Sequence, residues 1–265
     1  MVRAPAIGFS QRIRLEWMTE TARMVAEGQP DESIAAMLRE CLRDQLSVGG
    51  DPERGNREKA ITILLKTWLR VPAELRPFRD QGLALLQRLP PDLHVAVHWA
   101  ATMVAYPFFG EVAQTIGRLL RLQDIVATPQ VQRRLKERFG EKETVARAAR
   151  RIQRTFIDWG TMREARERGA YLPTDPLCLV DAELLAWMAE AAIRASNGRM
   201  KPVEDIRKNL AFFPFDVTAI SASTLPANRR LDVFRQGIDE QWVRLTFDPL
   251  QHSIASTTAV RIQGG

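Results

Sequence analysis

The stretch Glu143-Thr144-Val145-Ala146-Arg147-Ala148-Ala149-Arg150-Arg151-Ile152-Gln153-Arg154-Thr155-Phe156-Ile157-Asp158-Trp159 decides how this chain is read. Wound at about 100° per residue, it places Arg147, Arg151 and Arg154 on one face, with Arg150 at its edge. Ile152, Phe156 and Trp159 fall on the other. The pattern predicts an amphipathic helix with an apolar side to dock and a cationic side to present. Arginine forks bind phosphate oxygens and the O6/N7 edge of guanine bidentately, so the cationic side suits nucleic acid.

Upstream, two further helices are expected at 109–122 and 129–139, joined by short turns. Thr128-Pro129 reads as an N-cap followed by proline at the first helical position. Downstream, Met162 to Leu172 is charged, carries Gly169 and precedes Pro173, which reads as a short β-ribbon or a loop. Three helices and then a ribbon is the order of a helix-turn-helix with a wing. The middle helix adds Arg133, Arg134, Lys136 and Arg138. Between Arg118 and Gly169 lie fourteen Lys/Arg and seven Asp/Glu, a surplus of seven against a net charge of +6 for all 265 residues. The basic character is therefore local, and a local cationic surplus binds phosphate through counterion release. A solvated helical surface is the alternative, with Glu137, Glu141, Glu143 and Asp158 neutralising some of these arginines.

Working towards the N-terminus, a helix is expected from Ser10 to Glu27, with Ser10 as its cap and Ile13, Trp17, Thr21, Met24 and Val25 inward. A second follows Asp31, with Ile34, Met37, Leu38, Cys41, Leu42 and Leu46 on one face and Gly49-Gly50 at its end. Helices over 57–69 and 75–89 stop before Pro72 and at Pro90-Pro91. The helix from Asp92 to Ala105 is apolar on most faces and is expected at the centre. Towards the C-terminus, a helix over Val180–Ser196 precedes a weakly helical stretch from Lys201 to Leu210 and an aromatic anchor at Phe212-Phe213-Pro214-Phe215. Alternation in 231–235 and 241–247 around Gly237 reads as a β-hairpin. The expected fold class is mostly α: a helical bundle with a helix-turn-helix-like segment and a small C-terminal β-hairpin. The expected division is an N-terminal bundle at 1–105, the helix-turn-helix-like region at 106–200 and the C-terminal segment at 201–265.

Composition, with 45% hydrophobic and 26% charged residues, is that of a globular chain. The run from Leu93 to Phe109 is too short for a membrane span and contains His94, His98 and Pro107. No secretory leader is evident, so a cytoplasmic location and no membrane partner are expected. Cys41 and Cys178 are far apart and are expected as reduced, buried thiols. No Gly-rich phosphate loop, His-Glu-x-x-His or Gly-x-Ser-x-Gly motif occurs, so the chain is expected to be non-enzymatic, without metal or cofactor. His94 and His98 have the i, i+4 spacing that can place two imidazoles on a metal, but no third ligand lies in their helix. The tryptophans are read as packing.

The run His98-Trp99-Ala100-Ala101-Thr102-Met103-Val104-Ala105-Tyr106-Pro107-Phe108-Phe109-Gly110-Glu111-Val112, followed by two short helices and by Ala146-Arg147 to Thr155-Phe156, resembles the BrxA proteins of BREX phage-resistance systems. Gly55-Asn56-Arg57-Glu58-Lys59 before an apolar helix is similar to that family as well. The resemblance spans about residues 9–246 and implies a non-enzymatic helical component of a bacterial defence island. It implies double-stranded DNA as ligand, and a methyltransferase, an ATPase and other BREX subunits as partners. The expected site is Arg133, Arg134, Arg147, Arg150, Arg151 and Arg154, contacting backbone phosphates. A protein-interaction scaffold and an RNA-binding, antitermination-like module are the competing readings.

Overall fold

The computed structural model describes residues 7–46, 55–196, 198–237 and 240–246, and the chain in it is mostly helical. Helices α1 (Leu15–Ala26), α3 (Asn56–Trp68) and α4 (Arg76–Arg88) pack on α5 (His94–Ala105), and α2 (Asp31–Cys41) packs on α1 and α3. The inner position of α5 follows from its composition: eight of its residues, Ala96 to Met103, are buried. Tyr106 and Pro107 break the helix, and α6 (Pro107–Leu120) starts in a new direction, because proline cannot donate the hydrogen bond that would continue α5. Then come β1 (Val126–Ala127), α7 (Thr128–Phe139), α8 (Glu143–Asp158), β2 (Met162–Glu164) and β3 (Ala170–Pro173). The three strands form one antiparallel sheet in the order β1-β3-β2, with Val126 opposite Tyr171 and Arg163 opposite Leu172.

Strand β4 (Leu177–Cys178) leads into α9 (Ala182–Ala195), which packs on α5. Asp181 caps α9 by accepting a 2.9 Å hydrogen bond from the Leu184 amide. After β5 (Met200–Pro202), the stretch expected to be weakly helical forms only one turn and a half, α10 (Val203–Arg207). Strand β6 (Phe215–Asp216) pairs in parallel with β4. Strands β7 (Leu231–Gln236) and β8 (Glu240–Leu245) pair antiparallel, and β5 adds to the far edge of β8. No described helix is long and apolar enough to cross a membrane.

One buried cluster runs across residues 105/106 and 200/201, the expected unit boundaries. Its aromatic centre is Trp99. Phe156 of α8 stacks on it at 4.4 Å, while Phe109, Phe213 and Phe215 present edges at 5.0, 5.7 and 5.6 Å. Glycine permits a second close junction: a Cβ at Gly117 in α6 would lie 2.1 Å from the Leu210 carbonyl oxygen. On an open helix surface, glycine to alanine stabilises by about 0.5–1 kcal/mol. Here Gly117→Ala is expected to destabilise by about 1–3 kcal/mol, because backbone must shift to admit the methyl group. A urea midpoint that rises or stays level in that variant would contradict the close approach.

Several local expectations change. Residues 10–14 lie outside any helix, and α1 begins at Leu15 with Arg14, not Ser10, at the cap position. Tertiary partners replace the helical ladder there. The Thr155 hydroxyl accepts from the Ile13 amide at 3.1 Å, and the Trp159 indole donates to the Ile13 carbonyl at 3.0 Å. Thr128 is the first residue of α7 instead of its cap, and its hydroxyl donates to Gln153 Oε1 at 2.9 Å. Cys41 and Cys178 are exposed, against the expectation of buried thiols. The buried side of α2 is centred on Ile34, Ala35 and Leu38, which leaves Met37 and Cys41 on its solvent rim. Leu119 and Leu120, expected to be buried in the helix over 109–122, are half-buried. The expected helix stop at Gly49-Gly50, the Ile238-Asp239 part of the hairpin turn and the tail after Thr246 lie outside the described residues.

Candidate nucleic-acid interface

The basic face is built by the seating of α8. Val145, Ala148, Ala149, Ile152 and Phe156 are buried, and Arg147, Arg150, Arg151 and Arg154 are exposed on the opposite side. Polar ties set the axial position of the helix. Gln132 Nε2 on α7 donates to the Ala146 carbonyl at 3.1 Å, Arg12 forms a two-pronged ion pair with Asp158, and Ile13 holds Thr155 and Trp159 as described above. The turn between α7 and α8 contains Gly140 at φ +90°, a backbone conformation that side-chain-bearing residues rarely adopt. Arg147 has Glu143 at 3.4 Å and Arg154 has Glu164 of β2 at 3.0 Å, so two of the four arginines are part-neutralised. Both pairs are solvated and therefore weak. Among the described residues Arg150 and Arg151 have no carboxylate partner.

Helix α7 is less cationic than its sequence. Arg133 and Arg134 are exposed and share one carboxylate, Glu137, at 3.9 and 3.4 Å. Lys136 pairs with Glu141 at 3.0 Å, and Arg138 pairs with Glu111 of α6. Burial pushes the Glu111 carboxyl up, and Arg138 and Arg118 act against that rise.

The β2–β3 ribbon supplies cations that the expected site omits. Arg163, Arg166 and Arg168 are exposed and have no carboxylate partner among the described residues. The tip is closed by Ala165 N–H to the Ala170 carbonyl at 2.9 Å and by Gly169 at φ +79°. The signal in the sequence was the glycine inside a charged run. What the run did not reveal is that the ribbon is held to α8 by Thr161, whose hydroxyl and amide donate to the Phe156 carbonyl at 2.9 and 3.0 Å, and to β1 by Val126–Tyr171 pairing.

The remaining candidates do not converge on a reaction centre. His98 is fully buried, and burial, with the nearby His94, pushes its imidazole down to about 3. Its Nε2 lies 3.1 Å from the Thr19 hydroxyl, while His94 Nε2 lies 3.0 Å from the Leu89 carbonyl. The two rings are thus each engaged with a different neighbour. Among the described residues no group of three His, Cys, Asp or Glu is placed to hold a metal ion. Five of the six tryptophans are buried and Trp242 is half-buried. No protein-family model, curated protein or solved structure matches the chain.

Proposed function

We propose that this chain binds double-stranded DNA without catalysing a reaction, using α8 as the presented helix of a winged helix-turn-helix made of α6, β1, α7, α8, β2 and β3. The observation that carries the reading is the set of exposed arginines on α8, two of them without a carboxylate partner among the described residues, with a ribbon beside them bearing three more. A helix and a neighbouring ribbon together present cations along two lines, which suits the two phosphate strands that border a groove. Phosphate contact is the main role of Arg147, Arg150, Arg151 and Arg154, with Arg133 and Arg134 as flanking cations of reduced effect. Together with the resemblance to BrxA proteins, this makes the chain a cytoplasmic accessory protein of a bacterial phage-defence system, working beside other BREX subunits.

Affinity for a random-sequence duplex is expected to fall linearly on a log–log plot against salt. Arg163→Ala, Arg166→Ala and Arg168→Ala combined should make that line shallower by roughly 1 for each arginine that touches a phosphate. An unchanged slope would remove the ribbon from the interface. Stronger retention of structured RNA than of duplex DNA would turn the reading towards an RNA-binding module.

A further inference from the structure

Between the end of α3 and the start of α4 the chain makes a wide turn through Val71, Pro72 and a single 3-10 turn at Ala73–Leu75. The turn bows away from the last turns of α5 and leaves a cavity of about 140 Å³. Its walls are apolar: Trp68, Pro72, Leu75, Phe78, Ala101 and Val104. An apolar space of about 150 Å³ is large enough for a molecule of benzene size.

The polar groups around this cavity are unevenly supplied. Lys66 and Arg79 border it, and among the described residues no carboxylate does. Lys66 is exposed, its ammonium lies 4.4 Å from the Tyr106 ring centroid, and it has no carboxylate partner among the described residues. Arg79 donates from Nη1 to the Trp68 carbonyl at 3.0 Å and from Nε to Asp80 at 2.5 Å. A guanidinium carries five N–H groups, so donors remain. The Trp68 indole N–H, on one of the wall residues, is buried without an acceptor. Lys66, with no acid among the described residues, and the spare N–H groups of Arg79, whose Nε is held by Asp80, together favour an anion.

We propose that this cavity binds a small monocarboxylic acid, its ring-sized apolar body between Trp68, Phe78 and Val104 and its carboxylate at Lys66 and Arg79. The α5 wall ends one residue before Tyr106-Pro107, where α6 begins, so the site lies against the junction of the bundle and the proposed DNA-binding region.

The probe is para-fluorobenzoate, followed by fluorine NMR on the whole chain without DNA, so the outcome does not depend on the reading above. Saturable binding is expected with a dissociation constant on the order of 1 mM or tighter, as suits a ligand this small. Lys66→Gln should weaken it about tenfold, and the neutral para-fluorotoluene should bind about tenfold less well than the acid. Val104→Phe, placed on a half-buried wall so that the core is spared, should block it. Absence of saturable binding up to roughly 10 mM would overturn the site. Equal binding by Val104→Phe would place the probe elsewhere and overturn it too. Equal affinity for the neutral analogue, or in Lys66→Gln, would overturn the assignment of a carboxylate.

Discussion

With Arg147, Arg151 and Arg154 changed together to glutamate, duplex DNA binding is expected to fall at least about a hundredfold at low salt, because each charge-assisted contact is lost and each replacement repels phosphate. All three side chains are exposed, so the packing of α8 through Ile152 and Phe156 is untouched. Two of them, however, have carboxylates beside them: glutamate at 147 would face Glu143, and glutamate at 154 would face Glu164. The cleaner arm is Arg150→Glu with Arg151→Glu, since neither has an ion pair among the described residues to lose. Surface changes of this type alter stability within about 0.5 kcal/mol. The double variant should therefore melt with the parent while its affinity drops. By contrast, Arg133→Glu with Arg134→Glu should have a smaller effect, since Glu137 already offsets part of that charge. Retained affinity in the α8 variants would remove the assignment. A parent chain that shifts no DNA at low salt but keeps an acidic partner subunit would favour the scaffold reading.

Glu190→Ala is expected to destabilise the fold by about 3–5 kcal/mol, because it leaves buried or half-buried partners unpaired. Glu190 sits in α9 at 0% exposure. Its oxygens accept from Arg230 Nε at 3.0 Å, Arg230 Nη2 at 2.7 Å, Arg194 Nε at 2.8 Å and Asn228 Nδ2 at 2.7 Å. Arg230 also reaches Gln81 of α4. The cluster thus ties the segment before β7 to the bundle. Arg194 and Arg230 are partly solvated and can turn to water when the carboxylate is gone, whereas Asn228, 1% exposed, cannot. Chemical denaturation should show the loss, and limited proteolysis should open the segment around 225–246 first. Glu190→Met combined with Arg230→Met should recover part of the loss, since an apolar replacement of both partners removes the unpaired charge. A single Glu190→Ala variant within about 1 kcal/mol of the parent would contradict this account. Acid has the matching sign. Burial pushes the Glu190 carboxyl up, but Arg230, Arg194 and Asn228 outweigh it and hold the group below the ordinary carboxylate range. A carboxyl lowered on folding adds stability above its unfolded value, and that stability is lost as pH falls through the folded value.

The division of α8 into a buried and a basic side was legible in the sequence, as were the apolar α5 and the helix breaks at Pro72, Pro90 and Pro107. These are properties of neighbours three and four residues apart, and a helix realises them wherever it packs. Residues 10–14 were misread for the opposite reason: Ile13 keeps helical spacing with Trp17, but its backbone partners are Thr155 on α8 and Trp159 just after it, over 140 residues away. The two-residue strand β1 has no periodicity and exists only because Tyr171 and Ala170 lie opposite it.

The amino-acid order by itself determined that this chain makes a mostly helical body with its basic surplus gathered on one helix and its surroundings. It could not determine which arginines are free. That Glu137 serves both Arg133 and Arg134, that Glu111 meets Arg138 from another helix, and that Arg150 and Arg151 meet no carboxylate among the described residues are facts of distance in the folded chain. Charge is additive along a sequence, but its neutralisation depends on separation in space, so only the tertiary structure decided which cations of the basic face on 144–159 lack a carboxylate beside them among the described residues.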